Sequence, residues 1–419
     1  MSTAASARDA LEAAYRTEAR RVLATLIRVV GGFDAAEEAV HEAFAAAAEQ
    51  WPREGVPANP YGWLVSTGRF RLVNRWRKLG RLERALPELL AQADAAAEPV
   101  TPELIQDDEL RLIFICCHPA LTPDARTALT LREVGGLTTE EIARAYLTPT
   151  PTIAQRIVRA KAKIRDDALP YEVPARSELP TRLESVLQVI YLIFNEGYAA
   201  TDGPTLVRGD LCSEAIRLGR LLVNLLDDPG ESEALGLLAL MLLHEARREA
   251  RVDAEGNLIL LEAQDRSRWN REQMTEARAL LERALGSRRV GPYVLQAAIA
   301  DLHAEATSTT ATDWPQIVAL YAVLQRLDPS PVVALNHAVA LGMRDGPAAG
   351  LTAIDAVLAG GGLDGYYLAH AARADLQRRL GQIDAARASY TRALELTHQP
   401  AEQRFLTARL AELLGAGSH

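Results

Sequence analysis

The residues from 138 to 165 constrain the fold more than any other part of the chain. Thr138 and Glu141 have the spacing of a capping box, so a helix is predicted to begin there. Pro149 ends that helix and Pro151 can open the next one. Four apolar residues of the next helix recur at steps of four, three and four: Ile153, Ile157, Ala160 and Ile164. They share one face. The segment is therefore predicted to form two short helices joined by a proline-rich turn.

The opposite face of the second predicted helix suits nucleic acid. At 100° per residue, Gln155, Val158 and Arg159 point away from the apolar stripe. An amide and a guanidinium with little bulk between them fit the major groove, where base edges present paired donors and acceptors. The flanking basic residues are placed for phosphates: Arg156, Lys161 and Lys163. The pattern indicates a helix-turn-helix, and an ordinary amphipathic helix hairpin is the alternative.

A second basic segment lies earlier in the chain. Residues 69–84 hold seven basic residues and one acid, whereas residues 85–110 hold seven acids and no basic residue. Trp63, Phe70 and Trp76 are interleaved with arginines on one predicted helix, which suits unstacked bases and an anionic backbone. Core packing of these aromatics is the alternative. Two basic modules on an acidic tether are predicted.

An acidic helix precedes this segment. Asp34 can cap it, and Glu38 and Glu42 lie opposite its apolar stripe. That stripe is formed by Ala36, Val40, Ala43 and Phe44.

The net charge of −9 would, taken alone, argue against a nucleic-acid binder. However, residues 1–170 carry only −1, and residues 171–419 carry the remaining −8. No apolar run is long enough to cross a bilayer, no secretory signal is evident, and three cysteines cannot build a disulfide framework. A cytoplasmic protein without a membrane partner is expected.

The last 249 residues contain a helical repeat. Ala277, Ile317, Gly350 and Ala386 occupy equivalent positions at spacings of 40, 33 and 36 residues, close to the 34 or so of tetratricopeptide repeats. Residues 251–270 interrupt the pattern as a loop or small hairpin, and residues 360–362 form a turn. An α-solenoid is predicted, and such stacks commonly receive a peptide or a neighbouring domain.

Residues 131–143 and 152–161 resemble region 4 of the sigma-70 family, and residues 33–44 and 59–78 resemble region 2 of its extracytoplasmic-function (group IV) members. With residues 114–119 and 195–198, the whole chain resembles a group carrying a carboxy-terminal tetratricopeptide extension, which is thought to regulate activity. The resemblance implies an all-α protein. Its domains would be region 2 in residues 1–84, an acidic linker in 85–110, region 4 in 111–170 and the repeat domain in 171–419.

The resemblance also implies partners and site residues. Core RNA polymerase would be bound through its β′ clamp helices and β flap, and promoter DNA in double-stranded and melted form. The −35 element would meet Thr152, Ala154, Gln155, Arg156, Val158, Arg159, Lys161 and Lys163. The −10 element would meet Trp63, Arg69, Phe70, Arg71, Asn74, Arg75, Arg77 and Lys78. The β′ clamp helices would meet Asp34, Glu37, Glu38, His41, Glu42 and Phe44.

No catalytic residue, cofactor or metal is expected. Cys116, Cys117 and His118 lack the two-residue gap of paired zinc ligands, so buried, core-type cysteines are predicted instead. Phosphate-loop and zinc-peptidase motifs are absent. Two other interpretations remain: a helix-turn-helix regulator whose repeat domain senses a peptide, and a scaffold whose resemblance is accidental.

Overall fold

The protein is described from a computed structural model. The structure describes residues 3–78, 102–146, 148–175, 177–199, 207–226, 232–287 and 289–416. Over these residues it is built from helices, and the extended backbone pairs only at an isolated bridge between Val252 and Leu258. The predicted all-α class is confirmed.

The chain divides into two compact units, residues 1–189 and 190–419. The sequence-based boundary was placed after residue 170, before the unit boundary that the structure shows. Residues beyond 170 pack into the first unit, where Arg182 Nη2 donates to the Phe114 carbonyl at 3.0 Å. Ser185 Oγ donates to the Cys117 carbonyl at 2.7 Å. Because these contacts are made to distant residues, the end of the helix-turn-helix pattern does not reveal them.

The helices of the first unit follow one another along the chain. They are α1 (Thr3–Val30), α2 (Phe33–Glu54), α3 (Pro60–Lys78), α4 (Pro102–Cys116), α5 (Pro123–Glu133), α6 (Thr139–Ala145), α7 (Thr150–Asp166) and α8 (Leu179–Tyr198), which continues into the second unit.

Helices α1, α2 and α3 form a bundle. All four residues of the predicted α2 stripe, Ala36, Val40, Ala43 and Phe44, are buried. Helices α2 and α3 touch so closely that a Cβ at Gly68 would lie 2.6 Å from the Ala39 carbonyl oxygen. One local prediction was wrong: α2 begins at Phe33 with Gly32 at its N-cap, so Asp34 lies in the first turn and does not cap the helix. Asp34 still suits that turn, since acids are favoured there.

The helix-turn-helix forms as predicted. Glu141 N donates to Thr138 Oγ1 at 3.1 Å, and Thr138 N donates to Glu141 Oε2 at 2.7 Å, which completes the capping box of α6. Helix α7 starts with Pro151 in its first turn. Its four predicted apolar residues, Ile153, Ile157, Ala160 and Ile164, are buried.

Part of the predicted linker is helical. Helix α4 begins at Pro102, inside the segment interpreted as an acidic tether, while residues 79–101 lie outside the described residues. Asp108 is fully buried and pairs with Arg28 and Arg111, each at 2.7 Å. An acid counted from the sequence as part of a solvated tether is therefore a core residue, because two arginines neutralise it.

The second unit is a succession of helices. Its helices after α8 are α9 (Gly209–Leu225), α10 (Ser232–Glu245), α11 (Arg271–Gly286), α12 (Pro292–Glu305), α13 (Trp314–Leu327), α14 (Pro331–Asp345), α15 (Pro347–Ala359), α16 (Tyr367–Arg379), α17 (Ile383–Leu396) and α18 (Pro400–Ala416). Ala277, Ile317, Gly350 and Ala386 are all buried, on α11, α13, α15 and α17.

Separate apolar clusters follow one another along this unit. One joins α12, α13 and α14, the next joins α14, α15 and α16, and the last joins α16, α17 and α18. Gly350 permits a close crossing, since a Cβ there would lie 2.6 Å from the Gly342 Cα. The residues from 251 to 270 form the predicted small hairpin and two short 3-10 helices. No described helix has the length and apolar content needed to cross a membrane.

Candidate nucleic-acid interface

Helix α7 presents the predicted recognition face to solvent. Gln155, Val158 and Arg159 are exposed, and Val158 is 64% exposed although it is apolar. The buried isoleucines on the other side fix the helix against α5 and α6, so that this face stands free. Thr152 is exposed and Ala154 is half-buried at the start of the helix. The arrangement offers an exposed amide and an exposed guanidinium beside a small apolar side chain, which suits the base edges of a major groove.

The basic flanks of α7 differ from one another. Arg156 Nη2 lies 3.1 Å from Asp124 Oδ2, and Lys163 Nζ lies 2.6 Å from Asp167 Oδ2. Both are partly exposed pairs, which contribute little and exchange readily for another anion. Phosphate contacts from these two side chains stay a prediction.

Lys161 is placed differently from its neighbours. Its Nζ lies 2.8 Å from Glu37 Oε1 of α2 and 2.9 Å from Glu133 Oε1 of α5, and its side chain is only 11% exposed. It also lies over the Phe33 ring at 5.6 Å. In this arrangement Lys161 joins the helix-turn-helix to the α1–α3 bundle, and its ammonium is not directed at a phosphate.

Electrostatics favour the charged group formed by Lys161, Glu37 and Glu133. Burial lowers the pKa of the Lys161 ammonium, whereas the carboxylates of Glu133 and Glu37 raise it. The effect of the carboxylates is the larger one, so the pKa lies above its ordinary value. Burial raises the pKa of the Glu133 carboxyl, and the Lys161 ammonium offsets part of that rise. Both acids are near one cation, so removal of the lysine would leave the buried Glu133 without its counter-charge.

Two further contacts join the same modules. Arg165 Nη1 lies 3.5 Å from Asp34 Oδ2, and Arg20 Nη1 donates to the Val134 carbonyl at 3.4 Å. The packing between them is incomplete, since a cavity of about 610 Å³ remains beside Phe33, Ile164 and Tyr171. The modules are therefore held by these polar contacts and by the buried pair between Asp108 and Arg28, with a gap beside them.

The predicted −10 helix, α3, combines aromatic and basic side chains. Phe70 is 66% exposed, an unusual position for phenylalanine, whereas Trp63 is half-buried and lies 5.7 Å from the Trp51 ring. Arg69 and Asn74 are half-buried. The side chains of Trp76, Arg77 and Lys78 lie outside the described residues.

The arginines of α3 are paired with the acidic helix α2. Arg71 lies 3.5 Å from Glu42 and 3.7 Å from Glu49, while Arg75 contacts Glu38 and lies 3.7 Å from Glu42. These pairs are partly exposed, so the two helices neutralise each other on the surface of the bundle.

The remaining predicted polymerase contacts on α2 divide into exposed and buried residues. His41 and Asp34 are exposed and Glu37 is half-buried against Lys161. Phe44 is buried and packs edge-on against Tyr15 with ring centroids 5.0 Å apart. In this structure Phe44 is a core residue, so a contribution to binding would act through the shape of α2.

Sequence reasoning missed two positions that hold this site together. In the sequence, Glu133 belongs to the region 4 motif, and its burial was not predicted. The available signal was Leu129, one helical turn earlier, which is apolar and lies on the same buried face. Tyr171 was assigned to the repeat domain, but its hydroxyl donates to the Ala24 carbonyl at 2.9 Å. It also lies 3.2 Å from the Asp108 carbonyl. No local pattern signals the second contact.

The cysteine prediction is confirmed as to burial. Cys116, Cys117 and Cys212 are all buried with free thiols. Burial raises the pKa of Cys117 to about 11, and Cys117 Sγ lies 3.3 Å from Thr130 Oγ1.

Comparison with known families identifies three segments. Residues 14–82 match sigma-70 region 2, residues 111–164 match sigma-70 region 4, and residues 182–285 match a family of unknown function (DUF6596). The first two coincide with the α1–α3 bundle and with the helix-turn-helix.

Several curated proteins are similar to the chain. The uncharacterized protein R00370 of Rhizobium meliloti is 43% identical over 399 residues, which is 94% of this chain and 93% of that protein. The probable ECF RNA polymerase sigma factor SigI of Mycobacterium tuberculosis is 30% identical over 42% of this chain and 62% of its own length. The ECF RNA polymerase sigma-E factor of Escherichia coli is 34% identical over 26% of this chain and 61% of its own length. No solved structure matches the chain.

The similarity to R00370 runs through both compact units, whereas the two modules of the first unit are those of sigma factors. The chain therefore belongs to the family of R00370, and its first unit carries region 2 and region 4 of the sigma-70 family, similar to those of extracytoplasmic-function sigma factors.

Proposed function

We propose that this protein binds core RNA polymerase and directs promoter-specific initiation, with region 2 opening the −10 element and region 4 reading the −35 element. The observation that carries the proposal is that one compact unit holds both a helix-turn-helix with an exposed Gln155–Arg159 face and a bundle that exposes Phe70 among arginines. The protein contributes binding only, and the polymerase supplies the chemistry.

The energetics of melting support a role for Phe70. Opening duplex DNA costs about 1.4 kcal/mol of stacking per base-pair step. Stacking of one extruded base on an aromatic side chain returns about 1 to 3 kcal/mol. An exposed phenylalanine on α3 can therefore offset about one step, and the arginines beside it can hold the strand by its phosphates.

Run-off transcription with purified core enzyme tests the proposal. Addition of the full-length protein is expected to yield transcripts that start at defined promoters, whereas core enzyme alone gives none. If the protein binds promoter DNA by itself but never supports initiation, it is a helix-turn-helix regulator with a peptide-sensing repeat domain, and the sigma-factor proposal fails.

Substitution of the recognition face should change promoter preference. Gln155→Ala and Arg159→Ala are each expected to cost about 1 to 3 kcal/mol at the −35 base pair that the side chain reads, since that is the contribution of a good base contact. Lys163→Ala is the control, and it should weaken binding to all sequences alike and reduce the salt dependence. Affinities of the holoenzyme for promoters with single base changes would measure this. Equal behaviour of all three variants would show that α7 faces the DNA differently.

The contact between the two modules has a consequence for this function. The −35 and −10 elements lie about 25 base pairs apart, or about 85 Å at 3.4 Å per base pair. In the structure, Lys161 of α7 and Arg71 of α3 both pair with α2, at Glu37 and Glu49. These positions are roughly 18 Å apart along the helix at 1.5 Å per residue. The two modules therefore have to separate before both can reach their elements.

Separation on polymerase binding can be measured directly. Because the cysteines are all buried, fluorophores can be attached selectively to cysteines introduced at the exposed positions Glu49 of α2 and Asp166 of α7. Energy transfer is expected to fall when core RNA polymerase is added. A pair at Glu49 and Ser66, both in the α1–α3 bundle, is the control and should not change. If transfer between α2 and α7 stays high in an active holoenzyme, the modules do not open.

We propose further that the second unit is a tetratricopeptide-like solenoid that regulates this activity, with a peptide or another part of the chain in its groove. The buried repeat positions on α11, α13, α15 and α17 support the repeat, and the −8 charge of residues 171–419 supports competition with DNA. Transcription by a chain ending after residue 199 tests it, since this chain keeps α8 whole. Promoter use and activity equal to those of the full chain would contradict the regulatory role.

A further inference from the structure

Three arginines of the second unit form a cluster that the sigma-factor function does not use. Arg247 and Arg251 follow the end of α10, and Arg266 lies in the 3-10 helix Arg266–Arg268. Arg251 is only 7% exposed, and the other two are half-buried. Charged side chains are rarely buried to this extent unless an opposite charge accompanies them.

Two of these arginines surround the end of α8. The Arg251 guanidinium lies over the Tyr198 ring, 3.4 Å from its centroid, and donates to the Tyr198 carbonyl. Arg247 Nη2 lies 3.0 Å from the Tyr198 hydroxyl and 2.8 Å from His244 Nδ1. Both guanidiniums are therefore held in place by one tyrosine.

The third arginine joins the cluster through a tryptophan. Arg266 lies over the Trp269 ring at 4.5 Å, and Arg247 lies 5.9 Å from the same ring. Arg266 Nη1 also donates to the His303 carbonyl at 2.8 Å. The two rings, Tyr198 and Trp269, thus fix the planes of all three guanidiniums without supplying any negative charge.

Among the residues that the structure describes, no carboxylate pairs with any of these three arginines. Every acceptor they have is a carbonyl, a hydroxyl or an imidazole nitrogen. Their neighbour Arg248 is different, since it pairs with Glu245 at 2.5 Å. The nearby Asp265 accepts from Ser267 and does not contact Arg266.

The local potential is accordingly positive. Burial lowers the pKa of Arg251 and of Arg266, and the charge of Arg247 lowers both further. Burial also lowers the pKa of His244 well below its ordinary value and that of His303 to about 4, again with a contribution from Arg247. The arginines and histidines thus disfavour positive charge on one another, and the Glu245 carboxylate favours the charge of Arg251 without pairing with it directly.

We propose that this arginine cluster is a binding site for an oxyanion, a carboxylate or phosphate group of a ligand. Guanidinium matches both groups because it offers parallel N–H donors in a plane, and stacking on an aromatic ring fixes that plane in advance. Each arginine uses only part of its five donors on the protein contacts above. The site would recognise an acidic group presented on a ligand, beside the half-buried ring of Tyr198.

The cluster lies in the second unit, outside the two sigma-70 segments. Its three arginines and both rings lie within residues 182–285, the segment that matches a family of unknown function. The site does not depend on the proposed sigma-factor activity, and its test uses no polymerase or DNA.

Titration of the full-length protein with two simple anions tests the proposal. Inorganic phosphate and succinate are each titrated calorimetrically into the protein at constant ionic strength, with chloride as the reference. Saturable binding of at least one of them is expected. Binding of phosphate only would indicate a phosphorylated ligand, and binding of succinate only would indicate an acidic side chain or chain terminus. If neither binds more tightly than chloride, there is no such site.

Variants locate the binding. Arg266→Gln and Arg247→Gln should each weaken the affinity about tenfold or more, which corresponds to about 1.4 kcal/mol. Arg268→Gln is the matched control, because Arg268 is exposed in the same 3-10 helix and should change affinity less than about twofold. Circular dichroism checks that each variant is folded, and if Arg247→Gln is not, Arg266→Gln decides. Equal losses in Arg266→Gln and Arg268→Gln would indicate diffuse attraction to surface charge and overturn the proposal.

Discussion

Replacement of Asp108 by alanine is expected to lower the free energy of unfolding of the first unit by about 3 to 5 kcal/mol, the cost of breaking a buried ion pair. Asp108 is fully buried and accepts from Arg28 and Arg111 at 2.7 Å and from Thr25 Oγ1 at 2.8 Å. Thr25 in turn lies 2.7 Å from the Tyr61 hydroxyl. Removal of the carboxylate would deprive two guanidiniums of the acceptor that they share.

The loss should be confined to the first unit, since every partner of Asp108 lies there. Urea unfolding of the full-length protein, followed by hydrogen exchange in peptides from α1 and α3, would measure it. Asp166→Ala is the control: Asp166 is 64% exposed, pairs with the exposed Arg165 at 3.0 Å, and should change stability by less than about 0.5 kcal/mol. Similar losses in both variants would mean that the Asp108 network does not hold α1 and α4 together.

Acidification from pH 7.5 to 5.5 is expected to destabilise the second unit through two histidines. Burial, reinforced by the charge of Arg247, lowers the pKa of His244 well below its ordinary value of 6.5. The pKa of His303 falls to about 4 for the same reasons, with Arg266 contributing as well. A lowered pKa means that the unfolded chain takes up the proton first. The stability is therefore fully present above pH 6.5 and is lost as the pH falls below it.

The expected size follows from the linkage relation. Each histidine costs about 1.4 kcal/mol for each pH unit below its unfolded pKa, so that two histidines cost about 3 kcal/mol at pH 5.5. Urea midpoints read from hydrogen exchange in α10 and α12, at both pH values, would measure it.

His244→Gln serves as the control variant. It removes one titrating group and should roughly halve the loss between the two pH values, whatever its effect on stability at pH 7.5. A variant with an unchanged pH dependence would show that other groups control the acid response.

The elements that the sequence predicted well depend on local patterns. The capping box of Thr138 and Glu141, the buried stripe of α7 and the exposure of Gln155 and Arg159 follow from residues within two turns of helix. The buried positions of the second unit, spaced by a repeat, were likewise visible in the chain. Such features are settled by helix geometry and capping, which act between neighbours in sequence.

The elements that the sequence did not predict depend on distant partners. Lys161 has the spacing of a phosphate contact on α7, but its ammonium lies between Glu37 and Glu133, which are far from it in the chain. The sequence places Asp108 in the predicted acidic tether, whereas in the structure it is buried and pairs with Arg28 and Arg111. A charge count cannot separate a solvated acid from a buried one, because that depends on which cations the fold brings near.

By itself, the sequence determined the class of this protein: an all-α chain with two basic modules, one of them a helix-turn-helix with a defined recognition face, and a helical extension. The tertiary structure alone decided that the two modules close on each other through Lys161, and that Arg247, Arg251 and Arg266 gather around Tyr198 and Trp269. The physical reason is that helical periodicity acts over a few residues, whereas the pairing and desolvation of charges depend on long-range packing.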